Sequence, residues 1–225
     1  MDDLTSHQAP VPGWFPPGVR MPVGVRLRAW AYGLFADHGA VRLFWKNRWQ
    51  VAPGVWRMNQ PAHHDLARLR REGVRTVINL RGESARPFRQ LEARSCHRLG
   101  LTLINLRLHA KTVPSRETLL ALLDSFETAE RPLVMHCKSG ADRTGMAAAL
   151  WRLVMAGDDA ATAAQQLSLR YGHSPRGAAG VQGQILRTYA EEGERAGLSF
   201  RSWVETRYDP ASIEAAFARW RATSG

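Results

Sequence analysis

Apolar and polar positions along this chain follow two periods in turn. Residues 55–58 (Val-Trp-Arg-Met), 74–80, 101–108 and 132–136 are short apolar runs and read as strands. Between them the spacing becomes helical. One helix is expected from Pro61, at or near its first position, through Leu66 and Leu69 to Gly73. A second runs from about 87 to 99 and stops at Gly100. Ser115 caps a third, with Leu119, Leu120, Leu122, Leu123 and Phe126 on its apolar face. Beyond residue 136 the pattern is helical: 144–156, a helix capped by Asp158 reaching about Tyr171, then 184–195 and 213–222, with 172–183 loop-like. Strands alternating with helices predict an α/β fold. Its core is a central, mainly parallel sheet of about four to five strands flanked by helices, with a helical C-terminal half.

The first 48 residues depart from this pattern. Residues 1–22 carry prolines and glycines with little periodicity, as in a disordered or extended arm. Residues 23–48 mix Leu27, Trp30, Tyr32, Leu34, Phe35, Val41, Leu43, Phe44 and Trp45 with Arg26, Arg28, Arg42, Lys46 and Arg48; Asp37 is the one carboxylate, and Gly39 suggests a break between two short helices. Such a segment either lies in a membrane interface or packs on the main domain as a flap. The remaining divisions are a main domain over 49–195 and a helical C-terminal tail over 196–225. No run reaches the ~18 apolar residues of a membrane span, and the N-terminus has no secretory pattern.

Composition narrows the chemistry slightly. With 44% hydrophobic and 23% charged residues the chain reads as soluble and globular. The net charge of +11 suits a phosphorylated substrate, nucleic acid or acidic lipid, or reflects composition alone; no nucleic-acid reading motif is present. Two cysteines, Cys96 and Cys137, make neither a disulfide framework nor a zinc pattern. Cys96 reads as a structural thiol in a helix, and His63-His64 as a solvent-facing pair. A reduced, cytoplasmic compartment suits a reactive thiol.

The chemistry concentrates in His136-Cys137-Lys138-Ser139-Gly140-Ala141-Asp142-Arg143-Thr144-Gly145. A strand enters this segment and a helix leaves it. Cys137 therefore lies at the carboxyl edge of the sheet, near a helix N-terminus whose amides and dipole favour an anion. A helix N-terminus and a nearby guanidinium favour the thiolate form of a cysteine, the nucleophilic form. A loop from Cys137 to Arg143 is long enough to turn the amides of Lys138, Ser139, Gly140, Ala141 and Asp142 around phosphate oxygens. Gly140 supplies backbone freedom, and Arg143 can fork onto two of the oxygens. The Thr144 hydroxyl can hydrogen-bond the sulfur, and the His136 ring can orient the loop.

This HC-x5-R-T-G pattern resembles the signature of the protein tyrosine and dual-specificity phosphatase superfamily. The segments 57–61 (RMNQP) and 77–83 (VINLRGE) look like the early strands of its compact bacterial members. The resemblance covers roughly residues 50–172. It implies a two-step reaction in which Cys137 attacks phosphorus, forms a phosphocysteine, and is freed by water, with no metal or other cofactor. Many members carry an acid on a loop after the strand matching 101–108, where this chain has His109-Ala110-Lys111-Thr112-Val113-Pro114. One bacterial subgroup carries it just before the arginine, which makes Asp142 the candidate general acid and His109 the reserve. Lysine after the cysteine occurs in relatives that act on phosphoinositides, so Lys138 either meets a second phosphate or is solvated. Arg81 either contacts substrate or is a surface charge. Gln182 and Gln184 fall where some relatives keep a water-positioning glutamine. The implied partners are a phosphorylated protein, a phosphoinositide or a phospholipid, on an enzyme that is cytoplasmic or peripheral on the inner face of the membrane. Two alternatives remain open: a phosphate-binding module that does not turn over, and sulfur or redox chemistry on Cys137, which Arg143-Thr144-Gly145 fits less well.

Overall fold

In a computed structural model, which describes residues 19–35, 45–84 and 87–223, the strands β1 (Trp49–Ala52), β2 (Val55–Met58), β3 (Thr76–Asn79), β4 (Thr102–Asn105) and β5 (Leu133–His136) form one sheet. The order is β1-β2-β5-β3-β4. The β1/β2 pair is an antiparallel hairpin; every other pairing is parallel. Around the sheet lie α1 (Val23–Phe35), α2 (His63–Arg71), α3 (Pro87–Leu99), α4 (Arg116–Thr128), α5 (Asp142–Met155), α6 (Ala160–Ala164), α7 (Val181–Glu192), α8 (Phe200–Thr206) and α9 (Pro210–Thr223).

Alternation along the strands makes two cores. β5 turns Leu133 and Met135 to one side and Val134 to the other; β3 turns Ile78 and Val77 apart in the same way. The larger core adds Leu119, Leu122 and Phe126 of α4, Ala147 and Leu150 of α5, Ile185 of α7 and Trp203 of α8. The smaller one packs Leu66 and Leu69 of α2 and Cys96 of α3. The sheet is thus covered on both faces, which parallel strands require. α1 packs on α3.

The expected α/β architecture is present, with different boundaries. α2 starts at His63, because Asp65 reaches back to the Ala62 amide at 2.9 Å and Pro61 is left outside. The helix expected to run from Asp158 to Tyr171 is cut to α6 and a 3-10 turn at Leu169–Tyr171. Its cap is Asp159, while Asp158 pairs with Arg152. α7 begins at Val181, inside the expected loop, and α8 and β1 were not anticipated. Beyond residue 196, expected as a tail, Phe200, Trp203, Val204, Tyr208, Ile213 and Phe217 join the larger core. The expected arm lies outside the described residues except for 19–22, and so does the break at Gly39 with Val41, Leu43 and Phe44.

Candidate active site

β2, β5 and β3 run parallel, so their carboxyl ends share one edge of the sheet. Cys137 directly follows β5 there, and α5 begins at Asp142. The loop between them has its carbonyls held from outside. The Gln60 amide donates to the Lys138 carbonyl at 3.2 Å. Asn47 Nδ2 donates to the Ser139 carbonyl at 3.0 Å. Arg57 Nη2 donates to the carbonyls of Gly140 at 2.9 Å and Ala141 at 3.3 Å. In a trans peptide the following N–H points opposite to its carbonyl. Outward carbonyls at 138–141 therefore turn the amides of Ser139, Gly140, Ala141 and Asp142 toward the inside of the loop, as a site for an anion requires.

Two glycines permit this geometry. Gly140 has φ +77°, and a Cβ there would meet the Met58 and Asn59 backbone at 2.8 Å. Gly145 lets residues 166–167 approach α5; a Cβ would lie 2.8 Å from Leu167. That approach brings Gln166 to Arg57, whose Nη1 donates to the Gln166 carbonyl at 2.7 Å and to its Oε1 at 2.9 Å. The Arg57 guanidinium also lies 3.9 Å from the Tyr171 ring centre. Arg57 is fully buried, and burial lowers its pKa to about 10, so it keeps its charge at neutral pH; the Tyr171 and Cys137 side chains favour that charge.

Cys137, at the end of β5 where the loop begins, is 1% exposed and adjoins the larger core. Arg143 stands in the first turn of α5, its Nε buried with no hydrogen-bond partner among the described residues. The neighbouring Thr144 is buried, and its Oγ1 is likewise unpartnered among them. His136 is held between two groups: Nδ1 lies 3.2 Å from the Cys137 carbonyl and Nε2 lies 2.6 Å from Glu92 Oε1. Lys138 and Ser139 are half-buried, and Ser139 Oγ accepts from the Ala141 amide at 3.4 Å. Asp142 Oδ1 lies 2.8 Å from Nδ1 of the buried His173.

Arg81 is buried rather than a surface charge, because its Nη1 donates to Gln60 Oε1 at 2.9 Å, on the residue whose amide holds Lys138. His109 is exposed on a segment tied to α7: Gln182 Nε2 donates to the carbonyls of residues 109, 110 and 112. The Gln184 amide is turned to Thr188. Among the described residues no cluster of acidic, His and Cys side chains could hold a metal. His63 and His64 are exposed, and burial pushes the Cys96 thiol pKa up, as in an inert structural thiol.

The residues that buttress the loop (Asn47, Arg57, Gln166, Tyr171 and His173) were not singled out from the sequence. Residues 172–183 read there as loop-like, yet His173 is buried, with Asp142 as its partner. Arg57 left a usable signal, a charged residue inside an apolar strand. The others left none.

Comparison with known proteins gives the family and the fold. The profile described as "DSP-PTPase phosphatase fused to NAD+ Kinase" matches residues 45–180. The dual specificity protein phosphatase TpbA of Pseudomonas aeruginosa is 30% identical over 123 residues, covering 54% of this chain and 53% of TpbA. The chain thus spans about half the length of the curated relatives it matches. A cysteine-to-serine variant of P. aeruginosa TpbA, solved in complex with phosphotyrosine, superposes with TM-score 0.51 at 25% identity, covering 71% of this chain and 91% of that one. The core catalytic domain of the PP-IP phosphatase SIW14 from S. cerevisiae, solved with citrate, shares the fold with TM-score 0.54 at 17% identity, covering 71% and 94%.

Proposed function

Starting from the fact that the chain belongs to the family of DSP-PTPase phosphatases fused to NAD+ kinase, we propose that it hydrolyses phosphomonoesters through a phosphocysteine on Cys137. The carrying observation is the loop itself: four successive carbonyls held outward after Cys137, followed at the start of α5 by Arg143 Nε and Thr144 Oγ1, both buried and without a partner among the described residues. In this reading the inward amides of Ser139 to Asp142 and the Arg143 fork bind the three non-bridging oxygens. Charge stays on these oxygens through the transition state, so donors fixed beforehand lower the barrier without reorganising. The Cys137 sulfur forms a bond to phosphorus as the ester P–O bond breaks, and Asp142 gives its proton to the departing oxygen. Water then attacks phosphorus, the Asp142 carboxylate takes a proton from that water, and the P–S bond breaks with the Thr144 hydroxyl stabilising the leaving thiolate. Pure protein is expected to hydrolyse para-nitrophenyl phosphate, with Cys137→Ser inactive. Tight vanadate binding without turnover would point instead to a phosphate-binding module.

A second observation bears on where the ester is presented. Around α1, Met21 and Ala29 face inward, while Val23 is 57% and Leu27 61% exposed. Arg20, Arg26 and Arg28 are exposed too, and 19–35 contains no carboxylate. An apolar stripe flanked by guanidiniums suits the headgroup region of an anionic bilayer. We infer that this cover on α3 also meets acidic lipid, which favours a lipid or inositol phosphate beside phosphotyrosine as substrate. The chain is expected to sediment with phosphatidylglycerol vesicles but not with phosphatidylcholine, and Leu27→Glu to weaken that binding. Equal recovery with both vesicles would remove the lipid-facing role.

A further inference from the structure

His173 is a buried titratable side chain that these steps leave unused. It is 1% exposed, and its Nδ1 lies 2.8 Å from Asp142 Oδ1. The turn that carries it is fixed independently. The His173 amide donates to the Ser168 carbonyl at 3.1 Å. Gly172 is in the left-handed region at φ +79°, where a Cβ would meet Trp45 at 3.1 Å. The Tyr171 carbonyl accepts from Asn47 Nδ2 at 2.9 Å, and the same Nδ2 reaches the Ser139 carbonyl. The Tyr171 ring lies against Arg57. The turn is thus tied to the loop by Asn47, by Arg57 and by His173 itself.

Asp142 needs such a tie. It is the first residue of α5, where exposed amides attract a carboxylate and would draw it over the helix end. Its side chain nevertheless remains 26% exposed and engages His173.

We propose that His173 is the positioning residue of the general acid: its Nδ1–H donates to Asp142 Oδ1 and reserves Oδ2 for proton transfer to the departing ester oxygen. The proposal rests on reading Asp142 as the acid. In the first step the proton passes from Oδ2 to the leaving oxygen as the P–O bond breaks and the S–P bond forms. In the second, the carboxylate recovers a proton from the attacking water as the P–S bond breaks. His173 gives and takes no proton, and ends as it began. Its contribution is geometric, since general-acid catalysis requires the proton within hydrogen-bond reach of its destination.

The test is kcat across aryl phosphates of graded leaving-group basicity, for wild type, H173A, H173N, D142N and the double variant D142N/H173A. H173A is expected to slow esters with basic leaving groups about 10- to 100-fold, and activated esters several-fold less. H173N, whose side-chain amide can donate from nearly the position of Nδ1, is expected to restore most of the loss. The double variant is expected to be no slower than D142N, because both substitutions remove one function. Equal slowing of all esters by H173A, or wild-type rates, overturns the role, as does failure of a folded H173N to rescue. A selective D142N beside an unselective H173A sinks the His173 role alone. An unselective D142N sinks the Asp142 reading and the His173 role with it.

Discussion

Arg57 keeps a positive charge out of water, and it illustrates what single residues do here. Desolvating an ion costs several kcal/mol, while hydrogen bonds from a charged group each return roughly 1.5–3 kcal/mol. The hydrogen bonds offset that cost, and they also set the shape of the loop. It joins Gly140 and Ala141 of the loop to Gln166. Arg57→Met would take this donor from the Gly140 and Gln166 carbonyls, at roughly 1–3 kcal/mol each, while the Ala141 carbonyl keeps the Gly145 amide at 2.8 Å. We expect kcat/KM on para-nitrophenyl phosphate to fall about 10- to 100-fold in a protein that still folds, as when the outer support of a reactive site is lost. Rates near wild type in that assay would mean the loop holds its shape without the pin. The residue was legible in sequence only as an oddity, since nothing in a one-dimensional pattern says that residues 140 and 166 meet at position 57.

At the scale of elements, caps and periods were informative where they were local. Ser115 does cap α4: its Oγ accepts from the Thr118 amide at 3.3 Å. The strand read at 55–58 is β2 as observed, while the other three came out shorter than read, because pairing with neighbours, not apolar content, ends a strand. α8 escaped notice since its seven residues are too few to show a period. Its weight lies in packing. Trp203 is fully buried against Tyr189, Phe200 and Tyr208. Trp203→Ala is therefore expected to lose about 3–5 kcal/mol in urea denaturation. The exposed Leu169→Ala should change stability by no more than about 0.5 kcal/mol. A small loss at Trp203 would show that the C-terminal helices are not part of the main core.

At the scale of the whole molecule, the sheet order places the ends of β2, β3 and β5 together, and so gathers Gln60, Arg81 and the loop at one edge. The charge of +11 is a global property that raises the local concentration of anions without choosing among them. What the sequence determined by itself was the candidate segment 136–145 and the α/β alternation around it. Both follow from neighbours along the chain: an apolar strand, a fixed spacing from cysteine to arginine, and a helix start. What only the tertiary structure decided was the scaffold of that segment: Asn47, Arg57, Gln166 and Tyr171 around its carbonyls, and His173 on Asp142. These contacts join positions from 31 to 124 residues apart. They depend on which strand lies beside β5 and which turn folds over α5, and no local period encodes that choice.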